Sequence, residues 1–416
     1  KEVVDLKFNN WVKVVVGNER AFNLNISRVA SEVTENRIFE IALHRPKRAD
    51  SIEDIINEII GGGGIGGGGA PKDPDFPTSF PSGSGADPDF SKQWGMQDIG
   101  VKDAWSETTK GSPEIVVAVI DTGVDYTHED LAANMWRNPG ETGVDANGRD
   151  KASNGVDDDN NGYVDDVVGW DFAVNDNKPH DTTSGGIFGG NPGHGTHCAG
   201  NIAAAADNAK GIVGVAPNVK IMAMRFLTEK GQGSLDGAVQ AIKYAVDNGA
   251  QVLSNSWGSE GDGGEGGPLK EAIQYAQDHG VLFVAAAGNS NYDNDKPAKA
   301  SVPASYDFDN ILSVAAIDQN NNKSSFSSFG LTTVDVGAPG SAIYSTIPGN
   351  KYMNLDGTSM ACPMVAGAAA LYWSKHPQAT WQDVKNAIMT TAQPINSLRG
   401  RTVTGAKINV RELMRK

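Results

Sequence analysis

Cysteine is nearly missing from this chain of 416 residues, which has two, Cys198 and Cys362. Two cysteines cannot build a disulfide framework, and neither sits in a cluster of metal-ligand spacing, so the fold must rest on a packed core. Basic residues are scarce as well: 35 stand against 51 acidic ones, a net charge of −16. A field of that sign repels nucleic acid and anionic lipid, which argues against partners of either kind, and it leaves carboxylates available to cations. The imbalance begins after residue 60, with 9 basic and 10 acidic residues before that point and 26 and 41 beyond it. No run of about 18 apolar residues occurs, which excludes a membrane-spanning helix. With 21% charged and 39% hydrophobic residues, the chain has too little charge and too much apolar surface for a disordered polymer. It opens on Lys1 without an initiator Met, so prior removal of a leader, and export, are expected.

Glycine is what the chain has in abundance, fifty residues of it. Eight fall between Gly61 and Gly69 around Ile65, and a proline-rich stretch from Pro71 to Pro88 follows. Such a segment cannot pack a core, so 61–88 reads as a linker. Ahead of it, Trp11 to Val16 and Arg37 to Leu43 are β-type runs, and Ile52, Ile55, Ile56, Ile59 and Ile60 recur at helical spacing behind Ser51. Residues 1–60 therefore read as a small α+β domain and 89–416 as one large domain.

In the large domain, β-rich and helical patterns alternate. Strands are expected at 115–120, 219–224, 251–255, 281–285 and 311–316, and helices near 194–206, 234–248, 268–279, 358–374 and 380–391. This order predicts an α/β fold of three layers, a mostly parallel central sheet covered on both faces, with functional residues at the carboxyl ends of the strands.

Three segments carry chemistry. Asp121-Thr122-Gly123 follows the apolar run Val116 to Ile120, His194-Gly195-Thr196-His197 opens an Ala-rich segment, and Gly357-Thr358-Ser359-Met360-Ala361 precedes another. An acid, a base and a hydroxyl are the parts of a nucleophilic triad. A single Asp-Thr-Gly does not make an aspartic dyad, which needs two carboxylates. His194 and His197 lack the Glu and third ligand of a zinc motif. Ser359 is placed at a helix start, where free backbone N–H groups suit an oxyanion, with Pro363 in the first turn.

In their order and flanks, Cys198-Ala199-Gly200 after the histidines and Cys362-Pro363-Met364 after the serine, these segments resemble the subtilisin-like serine peptidases. The resemblance runs from about Asp89 to the end. It implies a serine endopeptidase acting on polypeptide substrates, with Asp121, His194 and Ser359 as the triad and Asn289 in Ala287-Gly288-Asn289-Ser290 as oxyanion donor. Gly231-Gln232-Gly233 and Ser256-Trp257-Gly258 match segments that pair with an extended peptide, and Ala286 and Gly288 match a neutral specificity pocket. Residues 1–60 match by position and size a propeptide that assists folding and inhibits the product, so a self-processing, secreted, monomeric zymogen is expected. Cys198 and Cys362 are expected as buried free thiols beside the catalytic centre.

Calcium is expected at two places. Asp157, Asp159, Asn161 and Asp165 occupy positions 1, 3, 5 and 9 of an EF-hand-type arc, with Gly162 at position 6 and the Tyr163 carbonyl at 7. Position 12 is Val168, so a further ligand such as Asp166 or Asp150 is required. A second site, Asp130 with Asn208 and the backbone of Ala206, Lys210 and Ile212, is implied by the resemblance alone.

Overall fold

The structure is a computed structural model that describes residues 2–5, 12–15, 38–41, 85–183, 191–261 and 267–416. Three short strands come first, β1 (Glu2–Asp5), β2 (Val12–Val15) and β3 (Ile38–Ile41). Then follow α1 (Trp94–Asp98), α2 (Val101–Glu107), β4 (Val116–Asp121), β5 (Gly169–Asp171), α3 (His194–Ala203), β6 (Lys220–Arg225), β7 (Gln232–Ser234) and α4 (Leu235–Asp247). The middle of the chain forms β8 (Val252–Asn255), β9 (Trp257–Glu260), α5 (Gly267–Asp278), β10 (Leu282–Ala286), β11 (Ser301–Val302), β12 (Ile311–Ile317) and β13 (Val336–Pro339). The last elements are β14 (Ile343–Ile347), β15 (Lys351–Leu355), α6 (Thr358–Lys375), α7 (Trp381–Thr391), β16 (Gln393–Pro394), β17 (Ala406–Lys407) and α8 (Val410–Arg415).

A nine-stranded sheet in the order β16-β17-β13-β12-β10-β8-β4-β6-β5 is the frame. Every pairing in it is parallel except β16 with β17. The five central strands, β4, β6, β8, β10 and β12, are the five expected from the apolar runs, which are continuous because both faces of a parallel sheet are covered. The chain crosses over β4 when it passes from β6 to β8, so the sheet reverses its winding there. That switch point places Asp121, the last residue of β4, on the edge where loops from both halves meet.

The helices follow from local sequence. In α4, Ser234 caps the first turn through Gly237 N–H, and its apolar residues face the sheet. A reciprocal capping box between Thr380 and Asp383 starts α7. Helix α6 differs, because its residues from Thr358 to Trp373 are buried on all sides. A helix that is apolar all round belongs inside the core, and α6 lies against the sheet and α3. Pro363 falls in its second turn, not its first. The missing N–H therefore leaves the Ser359 carbonyl without its helical donor, and the Ser256 hydroxyl supplies one at 3.0 Å.

Sequence patterning missed several short pieces. The hairpin β14–β15 is antiparallel and lies outside the main sheet, and β5 is only three residues long. In the amino-terminal part, β1 and β2 pair antiparallel, and β3 falls within the run expected from Arg37 to Leu43. The helix expected behind Ser51 and the glycine-rich linker up to residue 84 lie outside the described residues. Strand β3 completes a second sheet in the order β11-β9-β3-β7, antiparallel to both of its neighbours.

Helix α3 is held against β14 by small groups. Ser345 and Thr346 donate their hydroxyls to the carbonyls of His197 and Thr196, and a methyl on Gly200 would come within 2.2 Å of Thr346 Oγ1 and 2.5 Å of Ser345 Oγ. Those hydroxyls cannot retreat without losing their acceptors. Gly200→Ala is expected to destabilise the fold by about 1–3 kcal/mol, read as a lowered melting temperature. An unchanged value would show that the hairpin yields freely.

Candidate active site

Asp121 and His194 come from different elements and meet inside the protein. Asp121 Oδ1 accepts from His194 Nδ1 at 2.7 Å and from Thr122 N–H at 2.7 Å, and both side chains are wholly buried. A carboxylate only accepts, so the imidazole proton sits on Nδ1 and Nε2 is left with a lone pair. Nε2 is buried and makes no hydrogen bond among the described residues. Close backbone approach makes this contact possible, since a methyl on Gly195 would lie 2.0 Å from the Gly123 carbonyl.

The start of α3 is fixed from below by residues that sequence reading overlooked. Asn191 Oδ1 accepts from the N–H groups of Gly193 and His194 at 2.9 and 2.8 Å. Asp181 accepts from Thr122 Oγ1 and from both N–H and Oγ1 of Thr196, and it also binds the Asn191 amide. Burial pushes the Asp181 carboxyl above its usual range. Asp181 and Asn191 carry no motif signal, because their role depends on a floor assembled from three separate segments. His197, one turn along, hydrogen-bonds the Ile343 carbonyl at 2.9 Å, and burial pushes its pKa down to about 3.

Ser359 lies in the first turn of α6, where its hydroxyl donates to the Ser256 carbonyl at 3.0 Å. Its own carbonyl lies 3.5 Å from Cys198 Sγ, one turn beyond His194, so the starts of α3 and α6 abut. Asn289 stands three residues beyond the end of β10. Its Oδ1 accepts from both N–H and Oγ1 of Thr358, at 2.9 and 3.0 Å, which fixes the amide orientation. The opposite end, Nδ2, is a buried donor without a partner among the described residues. Thr358 was not singled out in the sequence; a threonine next to Ser359 at a helix start is the signal that could have found it.

The edges beside this cluster are backbone-rich. Gln232 and Gly233 lie in β7 with Gly231 just before it, and Trp257 and Gly258 lie in β9 with Ser256 just before it. Strand β3 runs between them, with Phe39 opposite Gly233, Glu40 opposite Gln232 and Gly258, and Ile41 opposite Trp257. Trp257 is buried edge-on against Phe226 at 4.9 Å. A side chain on Gly258 would meet the Val302 carbonyl at 2.7 Å, and one on Gly233 would meet Phe226 O at 2.7 Å, so bare backbone is required on both edges. Ala286 ends β10, and Gly288, at φ +101°, packs against Ser301. The Ser290 hydroxyl donates to Glu260, which sets a carboxylate beside a region read as neutral.

This arrangement of buried acid, base and helix-borne serine at the carboxyl edge of a parallel sheet agrees with the sequence comparisons. The sequence model of the subtilase family matches residues 112–409. The chain belongs to the subtilase family. Over 311 residues it is 41% identical to "Thermitase" of Thermoactinomyces vulgaris, an alignment covering 74% of this chain and 92% of that one. It is 39% identical over 304 residues to "Thermophilic serine proteinase" of Bacillus sp. (strain AK1), covering 73% and 62%. It is 44% identical over 200 residues to "Subtilisin DY" of Bacillus licheniformis, covering 48% and 70%. This subtilase is a serine endopeptidase.

The expected calcium ligands of the subtilase fall in two corners. Asp157 accepts from the N–H groups of Asn161 and Gly162, and Asp165 from Gly155 N–H. The Tyr163 ring packs on Trp170 and Tyr244 at 5.0 and 4.9 Å. Asp159 and Asn161 instead meet Asp166, which lies next to the arc. In the other corner Asp130 accepts from Asn208 Nδ2, Ile212 N–H and Tyr352 OH. Lys210 donates its N–H to Asn208 Oδ1 and pairs its ammonium with Glu129 at 3.2 Å. Just before them, Ala205 N–H donates to the Asp130 carbonyl, which draws the chain leading into Ala206 onto this corner.

Both cysteines are buried free thiols, and burial pushes Cys198 well up and Cys362 to about 12. Thiolate is the reactive form, so a thiol reagent is expected to label neither cysteine in the native subtilase and both after denaturation. Fast native labelling would show that the starts of α3 and α6 open readily.

Proposed function

We propose that this subtilase is a secreted, calcium-stabilised endopeptidase made as a self-processing zymogen. The observation that carries the catalytic reading is the 2.7 Å Asp121–His194 hydrogen bond, which leaves a buried lone pair on Nε2 beside the start of the Ser359 helix. In this reading Ser359 turns its hydroxyl from the Ser256 carbonyl to His194, which takes the proton as Ser359 attacks the peptide carbonyl. Asp121 holds the tautomer and stabilises the imidazolium. The developing oxyanion is met by Asn289 Nδ2, whose orientation Thr358 fixes before substrate arrives, together with the N–H at Ser359. His194 then returns the proton to the leaving amine, and water releases the acyl group by the same route.

Substrate is bound as an added strand between Gly231–Gly233 and Ser256–Gly258. The position of β3 supports this, because the chain's own residues 38–41 already pair with both edges. The same pairing supports the inhibitory role of residues 1–60. Its register ends with Ile41 opposite Trp257, next to Ser256, whose carbonyl accepts from the Ser359 hydroxyl. An inactive scaffold with a permanently filled groove is the competing reading.

Calcium fits the donor sets of the acidic loop and of the Asp130 corner, hard oxygen ligands in both. The Lys210 ammonium, engaged with Glu129, leaves the second corner to Asp130, Asn208 and the backbone of Ala206, Lys210 and Ile212. When bound, the ion would tie loops together and take no part in acyl transfer. A monomer is expected.

Three outcomes test these statements. Asn289→Ala is expected to lower kcat by about 10²- to 10³-fold, the loss known for the corresponding amide of subtilisin, with KM changed far less; a KM effect alone would make Asn289 a binding residue. Intact mass followed over time should show loss of the amino-terminal part in the parent chain and none in Ser359→Ala, with peptide hydrolysis appearing in step. If neither chain is cut and neither hydrolyses peptide, the scaffold reading replaces this one. Chelation should lower the melting temperature of Ser359→Ala, and an unchanged value would remove calcium from the account.

A further inference from the structure

Glu260 ends β9, the strand that begins beside Ser256, and it is exposed to solvent. Side chains alternate along a strand, so Glu260 shares a face with Gly258, while Trp257 on the other face is buried against Phe226. Strand β11 lies alongside in antiparallel register, with Ser301 opposite Glu260 and Val302 opposite Ser259. Ser301 also underlies the turn that follows β10. A methyl on Gly258 would lie 3.2 Å from Ser301 Oγ, and one on Gly288 would lie 2.9 Å from Ser301 Cβ. Two glycine backbones thus rest on one small residue, and the space beside them is bare of side chains.

The Ser290 hydroxyl donates to the Glu260 carboxylate, which draws the acid across to the residue that follows Asn289. One end of the bare space is therefore acidic. Among the described residues no lysine or arginine pairs with Glu260. The lysines of the segment between β10 and β11 are engaged elsewhere: Lys296 pairs with Asp293 at 3.3 Å, and Lys299 lies over the Tyr292 ring at 6.0 Å. A carboxylate held by a single hydroxyl keeps most of its capacity to accept hydrogen bonds.

We infer that Glu260 selects lysine or arginine as the residue whose carbonyl Ser359 attacks. The inference rests on the groove reading above and names the side chain that the groove accepts. Strand β3 ends with Ile41 opposite Trp257, so a peptide in that register sets its next residue opposite Ser256, whose carbonyl accepts from the Ser359 hydroxyl. The side chain of that residue has the bare space between Gly258 and Gly288 to enter, and an ammonium or guanidinium at its tip reaches the acid. A neutral side chain fills the same space without that attraction, and an acidic one is repelled. The region read as neutral from Ala286 and Gly288 thus carries a charge from a residue outside both motifs.

The test uses the enzyme as it matures from the full chain, and three peptides that place lysine, methionine or glutamate directly before a chromogenic amide leaving group. The lysine peptide is expected to exceed the methionine peptide in kcat/KM by about 5-fold or more at low salt, and the glutamate peptide to fall below both. High salt should narrow the spread. Glu260→Gln is expected to remove the lysine advantage, and Glu260→Lys to reverse the order of the two charged peptides. A parent enzyme that prefers methionine to lysine, or equal ratios in the parent and in Glu260→Gln, overturns the inference while the endopeptidase reading stands. Loss of all hydrolysis in Glu260→Gln alone also overturns it, by making Glu260 a structural residue. If the parent cleaves none of the peptides and no unfolded protein, the groove reading and this inference fall together.

Discussion

The abutment of two buried helices, α3 and α6, at the carboxyl edge of the sheet is the constraint on which the catalytic arrangement depends. Cys198 Sγ lies 3.5 Å from the Ser359 carbonyl, and that carbonyl is available because Pro363 cannot donate to it. Ser256, just beyond the end of β8, takes the vacancy with its hydroxyl and accepts from Ser359 Oγ with its carbonyl. A break in one helix is thus turned into a tie between the start of α6 and the residue that leads into β9. Packing this close needs small residues, which is why Gly195 and Gly200 stand where a methyl would meet backbone or fixed hydroxyls.

The polar groups of the site divide into two kinds. Those that position other groups are saturated: Asp181 accepts from Thr122, Thr196 and Asn191, and Asn289 Oδ1 accepts twice from Thr358. Two that reaction would engage, His194 Nε2 and Asn289 Nδ2, are buried without partners among the described residues. A buried unpaired polar atom costs stability, and the packed surroundings keep it in place. Donors fixed in advance need little reorganisation when charge develops, so the same strain that weakens the fold favours the reaction.

Much of this was legible in the chain. The five central strands are continuous apolar runs, and the principal helices carry periodic apolar faces or capping residues, so local physics fixed their positions to within a few residues. The segments around Asp121, His194 and Ser359 were visible because each couples a reactive side chain to the glycine or small residues its turn requires. Asp181, Asn191 and Thr358 were not visible, because each acts by hydrogen-bonding a segment distant in sequence or a group whose orientation only the fold sets. Spacing alone sets Asp157, Asp159 and Asp165 on one arc, while the fold brings Glu141, 18 residues ahead of Asp159, up to Asp159 and Asp166.

By itself the sequence determined the class of the fold and the membership of the family, and it pointed to the side chains that meet at the carboxyl edge of the sheet. These follow from hydrophobic period, composition and chemical type, which are local properties. Tertiary structure alone decided which carboxylates meet, which end of Asn289 is left free, and that residues 38–41 pair between β7 and β9. Each of those outcomes is a distance between groups far apart in the chain. Such distances are set by how the sheet winds about β4 and by how closely the two buried helices can pack.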